Sequence, residues 1–208
     1  MKNSKLLLLL LLLVFSTCKN NSSSSKSENT PAISNEKKDK TPTLSTEETI
    51  DYWTKNNCTL GVPRPTVPEE KRPTSYAFEV NTQKGFGKET MILENGYTLE
   101  ILSKGCNARW VNYSFSFPAK DFDVKNTPSV SQKIIELIKL TSQFSQPSID
   151  LKSKITPLQM AATQIGPFQI GEEFMLKDGL IRESFVLEKV KAKDGKVFLD
   201  YYFTQESH

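Results

Sequence analysis

At 208 residues the chain is long enough for one ordinary domain with appendages, and its 37% hydrophobic and 25% charged content are those of a globular protein. The formal net charge is +3, yet seven of the 27 basic and three of the 24 acidic residues precede residue 44, which leaves 20 against 21 in the rest. That balance argues against a nucleic-acid groove, which needs an excess of basic side chains on one face.

The chain begins with Lys2 and Lys5 ahead of an unbroken run from Leu6 to Leu13 and then Val14, the layout of a targeting segment. Leu6 to Phe15 is about half of the ~20 apolar residues a bilayer crossing needs. Phe15-Ser16-Thr17-Cys18 follows, and there is no small-x-small site for the ordinary signal peptidase. This stretch resembles a bacterial lipoprotein precursor, whose lipobox ends in a cysteine that is diacylated on sulfur and becomes the mature N-terminus. Ser16 conforms to that pattern, while Phe15 and Thr17 replace the usual Leu and the usual Gly or Ala. The resemblance covers only these first 18 residues. It implies lipidation of Cys18, a membrane-bound envelope protein and, because Lys19 is not the Asp that retains such proteins at the inner membrane, an outer-membrane address on either its periplasmic or its surface side.

Three segments are expected: a signal peptide over residues 1–17, a tether over 18–43 and a single domain over 44–208. The tether is rich in Ser, Asn, Lys, Thr and Pro and holds too little apolar surface to offset its conformational entropy. At ~25 residues its r.m.s. reach is ~27 Å. Order is expected from Leu44. Ser45-Thr46-Glu47-Glu48 has capping-box spacing, and Ile50 and Trp53 share a helical face in a short helix that ends near Asn56-Asn57. Pro63, Pro65, Pro68 and Pro73 then impose an extended, irregular crossing.

From Tyr76 the pattern is that of a meander. Phe78 and Val80, Met91 and Leu93, Leu99 and Ile101, and Arg109 to Phe117 mark four strands, with Asn95-Gly96 expected to form a type I′ turn. On the fourth strand Val111, Tyr113, Phe115 and Phe117 alternate with Asn112, Ser114 and Ser116, one buried face and one wetter face. Val130, Ile134, Leu137, Ile138 and Thr141 recur at helical spacing after Pro128, and Thr156-Pro157-Leu158-Gln159 reads as the start of a second helix that ends by Gly166. Asp178-Gly179 and Asp194-Gly195 then join three more strands. The fold expected is α+β in the order α-ββββ-αα-βββ, antiparallel meanders with helices on one face, in one sheet or two.

Cys58 and Cys106 are the two thiols left once Cys18 is acylated, and in an exported protein they are expected to form a disulfide. A redox or metal pair is the alternative, weakened because the one histidine is His208, at the end of the sequence. The same histidine argues against a Ser-His-Asp or Cys-His site. Gly85-Phe86-Gly87 lacks the spacing and the helix of a dinucleotide loop. No cofactor and no metal site is read from the chain. Glu100, Glu183 and Asp200 lie on expected strands and would serve acid/base chemistry, although a solvated sheet face explains them.

Trp110 stands apart, because it shares the parity of the polar positions on its strand. Either the N-terminal helix covers it, the favoured reading, or with Arg109 beside it the ring forms a platform for a sugar, a peptide or an aromatic ligand, which would make an envelope protein or glycan the partner. Tyr201-Tyr202 poses the same question, one ring in the core and the other exposed. The leading functional expectation is a lipid-anchored, non-catalytic binding or accessory module of the cell envelope. A carboxylate-based hydrolase and a binder of a small ligand beneath the helices are the rivals.

Overall fold

The structure is a computed structural model that describes Trp53 and residues 58–82, 84–120 and 122–207. It forms an α+β fold built on one antiparallel sheet of seven strands, in the spatial order β1-β2-β3-β4-β7-β6-β5. The strands are β1 (Ala77–Asn81), β2 (Phe86–Ile92), β3 (Thr98–Gly105), β4 (Arg109–Pro118), β5 (Glu173–Lys177), β6 (Ile181–Lys193) and β7 (Lys196–Ser207). Two helices, α1 (Thr127–Phe144) and α2 (Leu151–Gln164), separate the first four strands from the last three. The strand and helix order agrees with that expected, and the two meanders make one sheet. Cys18, the tether and the expected helix from Ser45 lie outside the described residues, apart from Trp53.

The seam between the meanders is β4 against β7, paired from Arg109↔Gln205 to Pro118↔Lys196. Along it Val111, Tyr113, Phe115 and Phe117 face the same way as Val197, Leu199, Tyr201 and Phe203, and all eight are buried. The stripe Val130, Ile134, Leu137 and Ile138 of α1 belongs to the same core, joined by Leu151, Leu158 and Ala161 from α2. One face of the sheet is thus sealed by both helices. Rings fill the space beneath them, with Tyr113 stacked on Tyr201 at 5.4 Å and Phe185 5.5 Å from Phe203.

Local chemistry sets the ends of the elements. Asn126 caps α1 by accepting the Ser129 amide, with Pro128 in the first turn. The second helix begins at Leu151, not at Thr156, because Asp150 accepts the Lys152 amide and supplies the earlier cap. Pro157 consequently sits inside the helix, where it has no N–H to donate to the carbonyl four residues back.

The turn at Asn95-Gly96 also differs from expectation. Gly96 has φ +78 but Asn95 is not left-handed, and the Gly96 amide donates to Leu93 O while the Leu93 amide donates to Tyr97 O. This is a type I turn closed by a left-handed glycine, the three-residue hairpin. Asp194-Gly195 takes the type I′ form, with φ of 51 and 71.

Before β1 the chain crosses the helix-side face of β2. A disulfide joins Cys58 to Cys106 beyond the end of β3, and Leu60 N donates to Cys106 O. Gly87 has no room for a side chain, since a Cβ there would lie 2.8 Å from Pro63 Cβ and 3.0 Å from the Phe78 ring.

Two outcomes follow from this packing. The Tyr201 hydroxyl is wholly buried without a hydrogen-bond partner among the described residues. Tyr201→Phe should therefore keep or raise stability, by up to about 1 kcal/mol in urea unfolding, since it removes a desolvated donor and leaves the ring. Closing a loop of 48 residues, the disulfide contributes on the order of 4 kcal/mol by the loop-entropy relation, so reduction should lower the thermal midpoint by several degrees or more.

Candidate functional site

Three clusters of polar or aromatic groups stand out, each positioned by the sheet. The first surrounds Glu89, whose parity on β2 points it toward the helices with Met91. Its carboxylate, 1% exposed, accepts from the Thr66 amide (2.8 Å), the Thr66 hydroxyl (2.7 Å), the Val67 amide (3.1 Å) and Tyr76 Oη (2.9 Å). Since the Thr66 hydrogen goes to Glu89, the Ser145 hydroxyl donates to Thr66 Oγ1 at 2.8 Å. Glu89 thereby holds the proline-rich crossing and the end of α1 to the sheet. Burial, together with the adjacent Glu89 carboxylate, pushes the Tyr76 phenol well above its ordinary range. The parity of Glu89 with Met91 was the available signal for this buried acid, and attention to the carboxylates at Glu100, Glu183 and Asp200 passed over it.

The second cluster corrects the reading of Glu183 as a solvent-face charge. It faces the helices, in step with Phe185, and forms a buried ion pair with Lys154 of α2, the two side chains being 9% and 11% exposed. Gln205 Nε2 donates to the other carboxylate oxygen at 2.6 Å, and Gln205 Oε1 accepts from Arg109 at 2.9 Å. The same Arg109 nitrogen donates to Ser148 O at 3.1 Å. Burial opposes the Glu183 charge, but the hydrogen bonds from Lys154 and Gln205, with the Lys154 and Lys177 charges, outweigh it and hold the carboxyl below its ordinary value.

Glu100 and Asp200 lie on the opposite sheet face, both in register with Ser114. Each has a lysine: Lys88 is 3.0 Å from Glu100, and Lys189 is 2.7 Å from Asp200. The three carboxylates thus fall on two faces, each already paired. Among the described residues no three His, Cys, Asp or Glu side chains gather as metal ligands.

The third cluster is that open face itself. Trp110 is partly buried, its ring 5.7 Å from Tyr202 and 4.9 Å from Lys104 Nζ. Neither helix covers it. The segment expected to cover it lies outside the described residues except for Trp53, which is buried against the β1–β2 turn, where a Cβ on Gly85 would meet its ring at 3.1 Å. Arg109, the sequence neighbour of Trp110, faces the other side of the sheet, so the two do not form one platform. Tyr201 is in the core and Tyr202 is partly exposed, as their adjacency requires.

Arg109 instead lines a cleft of about 350 Å³ beside the disulfide, with Arg64, Ser103, Gly105, Gln146 and Ser148. No carboxylate lines it. Lys104 belongs to its wall, but the ammonium lies over Trp110, so the two arginines carry the cleft's charge.

The fold and these clusters define an α+β domain with one helix-covered sheet face and one partly aromatic face that neither described helix covers. No protein-family model, no curated protein and no solved structure matches the chain.

The Lys154–Glu183 pair yields a test. Lys154→Met should cost about 3 kcal/mol or more, because it strands a buried carboxylate, whereas Lys154→Met with Glu183→Met should recover most of that loss. The folded value of Glu183 is depressed below 4.5, so its contribution is complete above that pH and is lost as the pH falls through the lower folded value. Acid unfolding curves of the double variant should accordingly lose slope below about pH 4.5 relative to the parent.

Proposed function

We propose that this chain is a lipid-anchored, non-catalytic binding module of the cell envelope, attached through Cys18 and engaging a protein partner with the open face of its sheet. The observation that supports the reading is the contrast between the two kinds of side chain. The acids Glu89, Glu100, Glu183 and Asp200 are each held by hydrogen bonds or an ion pair, while Trp110 stays partly exposed on a broad sheet face.

Size favours a polypeptide over a small ligand. Seven strands at ~4.8 Å spacing make a face roughly 29 Å across. Such a width accommodates the ~800 Å² per partner of a standard protein interface. Trp110, Tyr202 and Leu102 are the half-buried apolar side chains of this face, with the buried Asn112 and Val186 beneath and between them, a mixture of apolar area and fixed polar groups. Asn112 is already oriented, donating to Glu188 at 3.1 Å and accepting from Ser114 at 3.0 Å.

A photoreactive side chain placed at Trp110 tests the face, and fatty-acid labelling tests the anchor. Irradiation in intact envelopes should yield one dominant crosslinked polypeptide, absent when the reactive group is moved to Gln132 on the exposed side of α1. Crosslinks to glycan or lipid alone would overturn the protein-partner reading. Cys18→Ser should lose both the label and the membrane fraction, and a mutant that keeps them would refute the anchor.

A further inference from the structure

Several features of the domain converge on one end of the sheet. The β3–β4 turn with Cys106, the β5–β6 turn at Asp178 to Leu180 and the starts of β4 and β6 all lie there, since Arg109 is in register with Gln205 and Gln205 with Glu183. The upstream chain enters the domain at the same end, because Cys58 is bonded to Cys106. The arginine-lined cleft opens there as well.

Two observations at this end are unexplained by folding. Leu180 is 86% exposed at the tip of its turn, next to Ile181 at 41%, and Leu60 beside the disulfide is 38% exposed. Single exposed apolar residues occur elsewhere in the domain, Ile165 at 78% among them, but Leu180 is the most exposed of those described and has Ile181 beside it. In the cleft, Arg64 has no ion pair among the described residues, and Arg109 uses a single nitrogen, leaving the other donors of its guanidinium uncommitted. Ser103 lines the same cleft, and its buried hydroxyl has no hydrogen-bond partner among the described residues. Two arginine side chains with uncommitted donors, and no acid among the described lining residues, supply the chemistry that recognises an oxyanion.

We propose that this end of the domain is a membrane-facing surface, with the Arg64 and Arg109 cleft receiving a phospholipid phosphate while Leu180 enters the headgroup region. The lipid source is favoured because the apolar tip and the cation site occur together, which free phosphate would not require. The inference rests on the lipoprotein reading for its placement: 39 residues separate Cys18 from Cys58. Fully extended, they span at most roughly 130 Å, so the anchor permits contact without enforcing it. Asp150, Asp178 and Glu206 are exposed acids at this end, and Lys104, Lys152 and Lys177 are exposed cations there.

Vesicle binding by the full chain carrying Cys18→Ser removes the anchor and so tests the surface alone. With vesicles of phosphatidylglycerol in phosphatidylcholine, the bound fraction should exceed that on pure phosphatidylcholine by about tenfold and fall in high salt. Arg64→Glu and Leu180→Asp, both at exposed positions, should each reduce it severalfold with the unfolding midpoint unchanged. Binding that is indifferent to both substitutions would overturn the proposal, as would no binding to either vesicle. Binding of inorganic phosphate with no vesicle binding would also overturn it. Failure here leaves the Cys18 anchor standing, since acylation is read separately by the fatty-acid label.

Discussion

The pairing of β4 with β7 is the constraint on which the rest of the molecule depends. Each meander alone has one apolar face and an unsatisfied edge, and only their union gives a sheet wide enough to receive two helices. The largest buried rings, Tyr113, Phe115, Tyr201, Phe203 and Phe185, gather on this seam and its neighbouring strand. Its register also decides chemistry, since it brings Arg109 opposite Gln205 and so connects the cleft to the Lys154–Glu183 pair. A slip of one residue would turn every one of these side chains to the other face.

Polar groups fasten the outer layer to this frame. Glu89 draws the proline-rich crossing down with two backbone amides and two hydroxyls, a direct answer to the lack of regular hydrogen bonding in that segment. Lys154 and Glu183 perform a related task for α2, whose apolar contribution to the core is the smaller of the two helices. Such pairs add little net stability but penalise any arrangement that separates them. The disulfide secures the beginning of the crossing, and hydrogen bonds to Glu89 secure its end.

Much of the fold was legible because the signals were local. Alternation on β4, the helical stripe of α1 and the Asp-Gly turns depend on neighbours a few residues apart, and they gave the correct elements in the correct order. The order of strands in the sheet was not legible, because the β4–β7 contact joins residues 78 to 96 positions apart and no periodicity encodes it. Helix α2 shows a local conflict: Thr156-Pro157 is a credible start, but Asp150 lies one turn and a half earlier and captures the cap. At the candidate sites, Cys58 and Cys106 were identified from compartment and number alone. Parity placed Trp110 on the face away from the helices, whereas its grouping with Arg109 ignored that adjacent strand residues point to opposite faces. The buried acids were misread or missed because their partners, Thr66, Tyr76 and Lys154, come from other elements.

The central position of β7 has a consequence for the order of events during synthesis. Strand β4 is finished at Pro118, yet its partner is not made until Lys196 to Gln205. Through all of that interval the nascent meander presents a bare hydrogen-bonding edge. A ribosome adding ~5–20 residues per second leaves this state exposed for some seconds. The chain is therefore slow to commit to a compact form, and its unpaired edge calls for protection from premature association.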